Sequence, residues 1–161
     1  MSNSNRRRRP LLEKVSGPNA VPVTMLVERG EAASRRVQEK FDDFLKHRVG
    51  ELERMLGALT KKDAPEALWK SFYTVVHDIR GSGALAGHLS VNSFCLSLER
   101  LLQERDPADP RMGAAIASHI NALNLVISEG APDKTSQAVL MAELSRAVDC
   151  LPIRLRELRA V

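Results

Sequence analysis

Apolar residues along this chain recur at intervals of three and four, and no stretch alternates with period two. That spacing marks one face of an α-helix and not a half-buried strand. From about Met25 to Leu59 the stripe is Val37, Phe41, Leu45, Val49, Leu52, Leu56 and Leu59, with Glu, Lys and Arg between. Gly30 is expected to divide a short lead-in from the main helix, and Gly57 to fray its end. Asp63, Pro65 and Glu66 then open a second helix: a capping carboxylate, a first-turn proline and an acid at the positive end of the helix dipole. This helix is predicted over about Pro65 to Ala86. Projected on a helical wheel, Leu68, Phe72, Val75, Ile79 and Ala86 cluster on one side and form the buried face. Lys70, Tyr73, Thr74, His77, Arg80, Gly81 and Ala84 fall opposite, so His77 is predicted to face solvent.

Gly87 is a natural terminator for that helix. A third helix is predicted from about Leu89 to Glu104, with Val91, Phe94, Cys95, Leu98, Leu101 and Leu102 as its stripe. The short connection makes it the antiparallel neighbour of the His77 helix. Two prolines and two acids in Asp106-Pro107-Ala108-Asp109-Pro110 break the chain before a fourth helix, about Arg111 to Ser128. Its stripe is Met112, Ile116, Ile120, Leu123 and Ile127. After the turn Gly130-Ala131-Pro132-Asp133, a last helix over about Thr135 to Leu151 uses Leu140, Leu144, Ala147 and Leu151. Pro152 ends or kinks it, and Arg154 onward is expected to be a helical or frayed tail. The predicted fold class is all-α: an up-down antiparallel four-helix bundle with an additional helix over residues 24–161. A flexible basic tail is expected over residues 1–23, which are rich in Ser, Asn, Arg, Pro and Gly without periodicity.

Composition narrows the function. At 161 residues with 43% hydrophobic positions the chain can bury the core of one domain, and its few aromatics (one Trp, one Tyr, four Phe) suit helices. Arg6, Arg7, Arg8 and Arg9 account for the whole net charge of +4, so the remainder is near neutral and nucleic-acid binding by the folded part is not indicated. Cys95 and Cys150 sit in apolar helical patterns with no Cys-x-x-Cys spacing, as small hydrophobes in a reducing cytoplasm do. No segment has the apolar length of a membrane span. The arginine run before Pro10-Leu11-Leu12 has a faint likeness to a twin-arginine export signal. Glu13, Lys14, Ser16, Pro18 and Asn19 occupy the place of its apolar region, so a cytoplasmic location is expected.

Four histidines, His47, His77, His88 and His119, lie on separate stretches with no His-x-x-x-His and no Glu-x-x-His pair, so a metal centre is not expected. There is no Gly-x-Ser-x-Gly, and Gly81-Ser82-Gly83 lacks the Gly-Lys-Ser/Thr of a phosphate-cradling loop. His119 reads as structural or simply partly exposed, and His88 as a loop residue at the rim of the His77 face. His77 differs. Arg80 and Gly81 follow it by three and four residues, which places a cation and a missing side chain on its own patch. Such an imidazole is open to a bulky anionic reaction partner. Chance would produce His-x-x-Arg-Gly with a glycine at the tenth residue, at one of four histidines, about two times in a thousand.

That stretch resembles the histidine-containing phosphotransfer (HPt) domain, whose motif is His-x-x-Lys-Gly with a glycine ten residues after the histidine. His77, Arg80, Gly81 and Gly87 fill those places, with Arg80 standing where Lys is more usual. Leu98-Glu99 matches a Leu-Glu usually found on the partner helix. Leu12-Glu13-Lys14-Val15, Glu28-Arg29-Gly30-Glu31-Ala32 and His119-Ile120-Asn121-Ala122-Leu123 look like the stand-alone HPt proteins of α-proteobacteria. The resemblance implies a phosphorelay carrier in which His77 accepts a phosphoryl group from a receiver-domain aspartate. Arg80 would then stabilise phosphoryl charge, and Gly81 would give steric access. Lys70, Tyr73, Thr74, Ala84 and His88 are the expected docking positions. Implied partners are response-regulator receiver domains and a sensor or hybrid histidine kinase. No cofactor is expected on this chain, the Mg²⁺ belonging to the receiver, and no kinase activity is expected without an ATP motif. Two other readings are a non-phosphorylated helical interaction module and a tether acting through the basic tail.

Overall fold

The computed structural model describes residues 21–61, 63–85 and 88–154. Five helices follow in order: α1 (Val23–Leu59), α2 (Glu66–Leu85), α3 (Leu89–Glu104), α4 (Met112–Glu129) and α5 (Lys134–Asp149). The fold is an all-α bundle, and the described residues contain no strand beyond one isolated bridge. By compactness the chain divides into residues 1–39 and residues 40–161, with α1 running through the division. Neither Gly30 nor Gly57 interrupts that helix, because a single glycine costs only about 1 kcal/mol in a helix interior. Most of the sequence expected for a flexible tail lies outside the described residues, and so do Ala86, Gly87 and Leu155 onward.

The core of the larger unit is aliphatic. Leu45, Val49, Leu52 and Leu59 of α1 meet Phe72, Val75, Val76 and Ile79 of α2 and Val91, Phe94, Cys95, Leu98 and Leu101 of α3. Met112, Ile116, Ile120, Leu123 and Val126 of α4 and Leu144 and Val148 of α5 complete it. The predicted stripes therefore point inward, with α2 widened by Val76. Val37, expected in the α1 stripe, is exposed instead. Cys95 lies fully inside, and burial, reinforced by the negative charge of Glu99, pushes its thiol up to about 12. It is an inert packing group.

Local chemistry sets the ends. Asp133 caps α5 by accepting from the amides of Thr135 (2.9 Å) and Ser136 (3.0 Å). At Ile153 and Arg154, the described residues past Pro152, the backbone is not helical and is held by neighbours. Ile153 bridges Arg105 in antiparallel fashion, the Arg154 amide donates to Glu104 O (2.7 Å), and the Asp106 amide donates to Pro152 O (3.0 Å). The buried Arg105 side chain locks this segment, donating to Leu151 O (3.1 Å) and to Asp149 Oδ1 (3.1 Å). The expectation of a helical or frayed tail is thus corrected for Arg154. Proline stopped the helix, and the freed backbone groups found partners on the end of α3.

Two glycines in α2 have opposite surroundings. A Cβ on Gly83 would stand 2.8 Å from Val91 Cγ1, so the missing side chain lets α3 approach the end of α2. A Cβ on Gly81 would meet nothing within 4 Å. Gly83→Ala is expected to cost about 1–3 kcal/mol by overpacking against a stiff valine, whereas Gly81→Ala should gain up to about 1 kcal/mol of helix propensity. Urea melts of the two variants check the sign of each.

His119 is wholly buried, its Nδ1–H donating to Ala115 O (2.8 Å) and its Nε2 accepting from the Ser97 hydroxyl (2.9 Å). Burial holds its pKa below the ordinary 6.5, so the folded chain refuses a proton that the unfolded chain accepts. This contribution to stability should therefore be present above the ordinary value and be lost progressively as pH falls below it toward the lowered folded-state value. The His119→Gln variant should be less stable at neutral pH and show a shallower decline in melting temperature. An unchanged slope would remove His119 as its source.

Candidate functional site

The short α2–α3 connection makes the two helices antiparallel, and the empty position at Gly83 brings them together at that end. Moving back along α2 from Gly83 to His77 and Tyr73 meets Val91, then Glu99, then Gln103 of α3. The periodicity of α2 alone already turns His77 outward, and its side chain is 56% exposed. The residues on either side of it in sequence are held on other faces. Val76 is in the core, and Asp78 pairs with Arg48 of α1, which also holds Glu51 (2.7 Å).

The centre of the site is the carboxylate of Glu99, only 6% exposed. One oxygen, Oε1, lies 3.0 Å from His77 Nδ1, and the other, Oε2, accepts from Arg80 Nη1 at 2.6 Å. A carboxylate only accepts, so the hydrogen of this pair sits on Nδ1. A neutral imidazole has one N–H, which leaves the lone pair on Nε2, the nitrogen away from Glu99. The ring of Tyr73, one turn earlier, stacks on His77 with centroids 6.2 Å apart and planes inclined by 21°. The Tyr73 hydroxyl is itself fixed by a hydrogen bond from Gln103 Nε2 (2.8 Å). The imidazole thus has its rotation set on one side by an anion and on the other by a ring, with one nitrogen left to react.

Arg80 is 30% exposed, and its Nη1 is committed to Glu99. Glu99 and Arg80 neutralise each other, so Arg80 is first the counter-ion of a buried charge. Its other N–H groups have no protein partner among the described residues and remain able to donate to an anion. Gly81 and Ala84 are exposed and leave the surface beyond His77 low.

Of the expected docking positions, the structure gathers Tyr73 with His77 and Arg80. Lys70 pairs with Glu66 (3.0 Å) back along the helix, and that hydrogen bond holds the Glu66 carboxyl below its usual range. The Thr74 hydroxyl donates to Lys70 O (3.0 Å) and so is used within α2. His88 stands at the N-cap of α3 with Nε2 3.1 Å from Asp42 Oδ1 of α1, half-buried and turned toward that helix.

Glu99 and Gln103 are the members of this cluster that helix periodicity does not reveal. Glu99 lies 22 residues from His77, and only the Leu-Glu resemblance singles it out. Beside it a groove opens between α3 and α5, lined by Leu96, Glu99, Arg100, Gln103, Met141 and Ser145, with Leu96 54% exposed at its edge. Among the described residues no helix is long and apolar enough to cross a membrane. No family model, no curated protein and no solved structure matches the chain.

The hydrogen-bond direction is open to measurement. Neutral His77 should populate the Nδ1–H tautomer, seen in its ring ¹⁵N shifts, and Glu99→Ala should return it toward the Nε2–H form that predominates in free imidazole side chains. Arg80→Ala leaves the buried Glu99 charge short of a partner and should cost about 1–3 kcal/mol in chemical denaturation while the helical CD spectrum is retained.

Proposed function

We propose that this chain is a histidine phosphotransfer protein, an HPt-like carrier in which His77 accepts a phosphoryl group from a receiver-domain aspartate and passes it on. The observation that carries the reading is the exposed His77 held through Nδ1 by Glu99, with Arg80 on the other carboxylate oxygen. An imidazole with its reactive nitrogen outward and its other nitrogen bonded to an anion is suited to nucleophilic attack.

In the step proposed, the Nε2 lone pair forms an N–P bond while the bond from phosphorus to the partner's aspartyl oxygen breaks. The aspartate leaves as a carboxylate with that electron pair. The imidazole becomes cationic as it attacks, and the Nδ1–H···Glu99 bond strengthens with that charge. The transferring group is metaphosphate-like, so the requirements are in-line positioning and stabilisation of spread negative charge. The uncommitted N–H groups of Arg80, one turn from His77, are the local donors for it. Exposed Gly81 and Ala84 let a partner surface close over the ring. Mg²⁺ and its carboxylate ligands are assigned to the receiver, as is the source of phosphate, since this chain carries no ATP motif. Receiver domains and a sensor or hybrid kinase are the partners this reading requires, in the cytoplasm.

The test is incubation with receiver domains phosphorylated by a small phosphodonor. Wild-type chain should acquire an acid-labile, base-stable label, and His77→Gln should fold normally and take none. Label on that variant would make His77 the wrong residue, and no label on wild type with any receiver would favour a helical interaction module. Glu99→Gln should slow transfer by up to about 10²-fold, the scale of losing the group that orients a reacting atom. Arg80→Ala should slow it as well, and Arg80→Lys should recover part of the rate because the charge returns without the planar fork.

A further inference from the structure

The hydrogen between Glu99 and His77 must come from a different place before and after phosphorylation. Oε1 of Glu99 lies 3.0 Å from Nδ1, and Oε2 accepts from the permanently charged Arg80 guanidinium at 2.6 Å. The carboxylate therefore offers only lone pairs, and the contact needs a hydrogen on Nδ1. A bare ring supplies it as a neutral tautomer, by leaving Nε2 without one. A ring that carries phosphorus on Nε2 has no such choice. In its neutral form Nδ1 holds a lone pair, which would face a buried carboxylate oxygen at hydrogen-bond distance. Only the protonated, cationic form of the phosphorylated ring keeps the contact.

The surroundings close the alternatives. Glu99 is 6% exposed, and among the described residues His77 Nδ1 is the donor that meets Oε1. Turning the ring away would leave that oxygen buried without a partner and take the imidazole off Tyr73. The titratable and charged groups facing the ring are Glu99 of α3 and Arg80 and Tyr73 of α2. Nearby charges are engaged elsewhere: Arg48 with Asp78 between α1 and α2, Lys70 with Glu66 along α2, and Arg100 with Glu104 and Asp149 on the α5 side of α3.

We infer that Glu99 holds phospho-His77 in its protonated form, and so makes the chain a carrier that passes its phosphoryl group on and does not store it. This rests on the phosphotransfer reading above and extends it to the loaded state. In the outgoing step an acceptor carboxylate oxygen forms a bond to phosphorus while the Nε2–P bond breaks, its electron pair returning to Nε2. The ring leaves as neutral imidazole, its Nδ1 hydrogen still bonded to Glu99. Without that hydrogen the leaving group would be an imidazolate anion, a far poorer one. With water as the acceptor, the same cleavage gives dihydrogen phosphate and the neutral ring. The loaded state is therefore short-lived even with no partner present.

Loading the full chain chemically with phosphoramidate, which needs no receiver, and following it by ³¹P NMR tests this. The His77→Gln chain identifies signals from other histidines. A peptide of residues 73–81 phosphorylated on the same nitrogen, which lacks Glu99, is the reference. At neutral pH phospho-His77 should decay about 10-fold faster in the chain than in the peptide, the scale of one charge-assisted hydrogen bond. Glu99→Gln is nearly isosteric and can offer Nδ1 an N–H, so it should lengthen the lifetime by a similar factor. The pH at which decay slows should be higher in wild type than in the peptide or the variant. Decay in the folded chain no faster than in the peptide overturns the inference, even where Glu99→Gln fails to fold. So does a folded Glu99→Gln chain with the wild-type lifetime or pH profile, or a His77 that phosphoramidate does not load. Receivers decide the phosphotransfer reading separately. A long-lived phospho-His77 that receivers do load keeps the carrier and removes this role of Glu99, and a short-lived one that no receiver loads does the reverse.

Discussion

A carboxylate almost out of reach of water, that of Glu99, is the constraint on which the site depends. A buried charge is tolerated only where it is paired and hydrogen-bonded. Glu99 meets that condition with two donors from the neighbouring helix, Arg80 Nη1 on one oxygen and His77 Nδ1 on the other. The same ion therefore ties α2 to α3, fixes which nitrogen of His77 carries the hydrogen, and aims the guanidinium. The packing of two helices and the orientation of His77 share one group here.

The pairing works only because the helices are close and their register is held at several points. Gly83 admits Val91 at the connection end, and Gln103 holds the Tyr73 hydroxyl at the other. On the far side of α2, Asp78 is held by Arg48. His77 is thus carried on a helix anchored on both flanks while its own ring stays in solvent. For the carrier role we propose, that division suits a side chain that must offer one atom to a partner without refolding. It also locates the two kinds of glycine in this stretch: Gly83 is needed for packing, and Gly81 leaves room above the surface.

Much of this was legible as pattern. The inward residues of α2 and the outward direction of His77 follow from periodicity, since the apolar stripe must be buried whatever it packs against. The boundaries of α3, α4 and α5 followed from the Asp-Pro pairs at 106–110 and the Gly130-Ala131-Pro132-Asp133 turn, and α3 runs over the residues expected for it. Gly30 misled because glycine weakens a helix without stopping it. Arg154 misled because a proline marks where a helix ends and says nothing of what the freed backbone then pairs with. Lys70, Thr74 and His88 were placed on the docking face by angle alone, and angle does not reveal that each already has a partner.

What the sequence by itself determined is therefore the set of helices, the face each one buries, and the grouping of His77, Arg80 and Gly81 on one exposed patch. These depend on separations of three and four residues, which a helix converts directly into proximity. Only the tertiary structure decided the partner of His77, the commitment of Arg80 to Glu99, and the burial of His119 against Ser97. Each of these contacts joins residues 19 to 22 positions apart on different helices. Their meeting depends on how closely and in what register two helices pack, and the spacing of one helix carries no record of that.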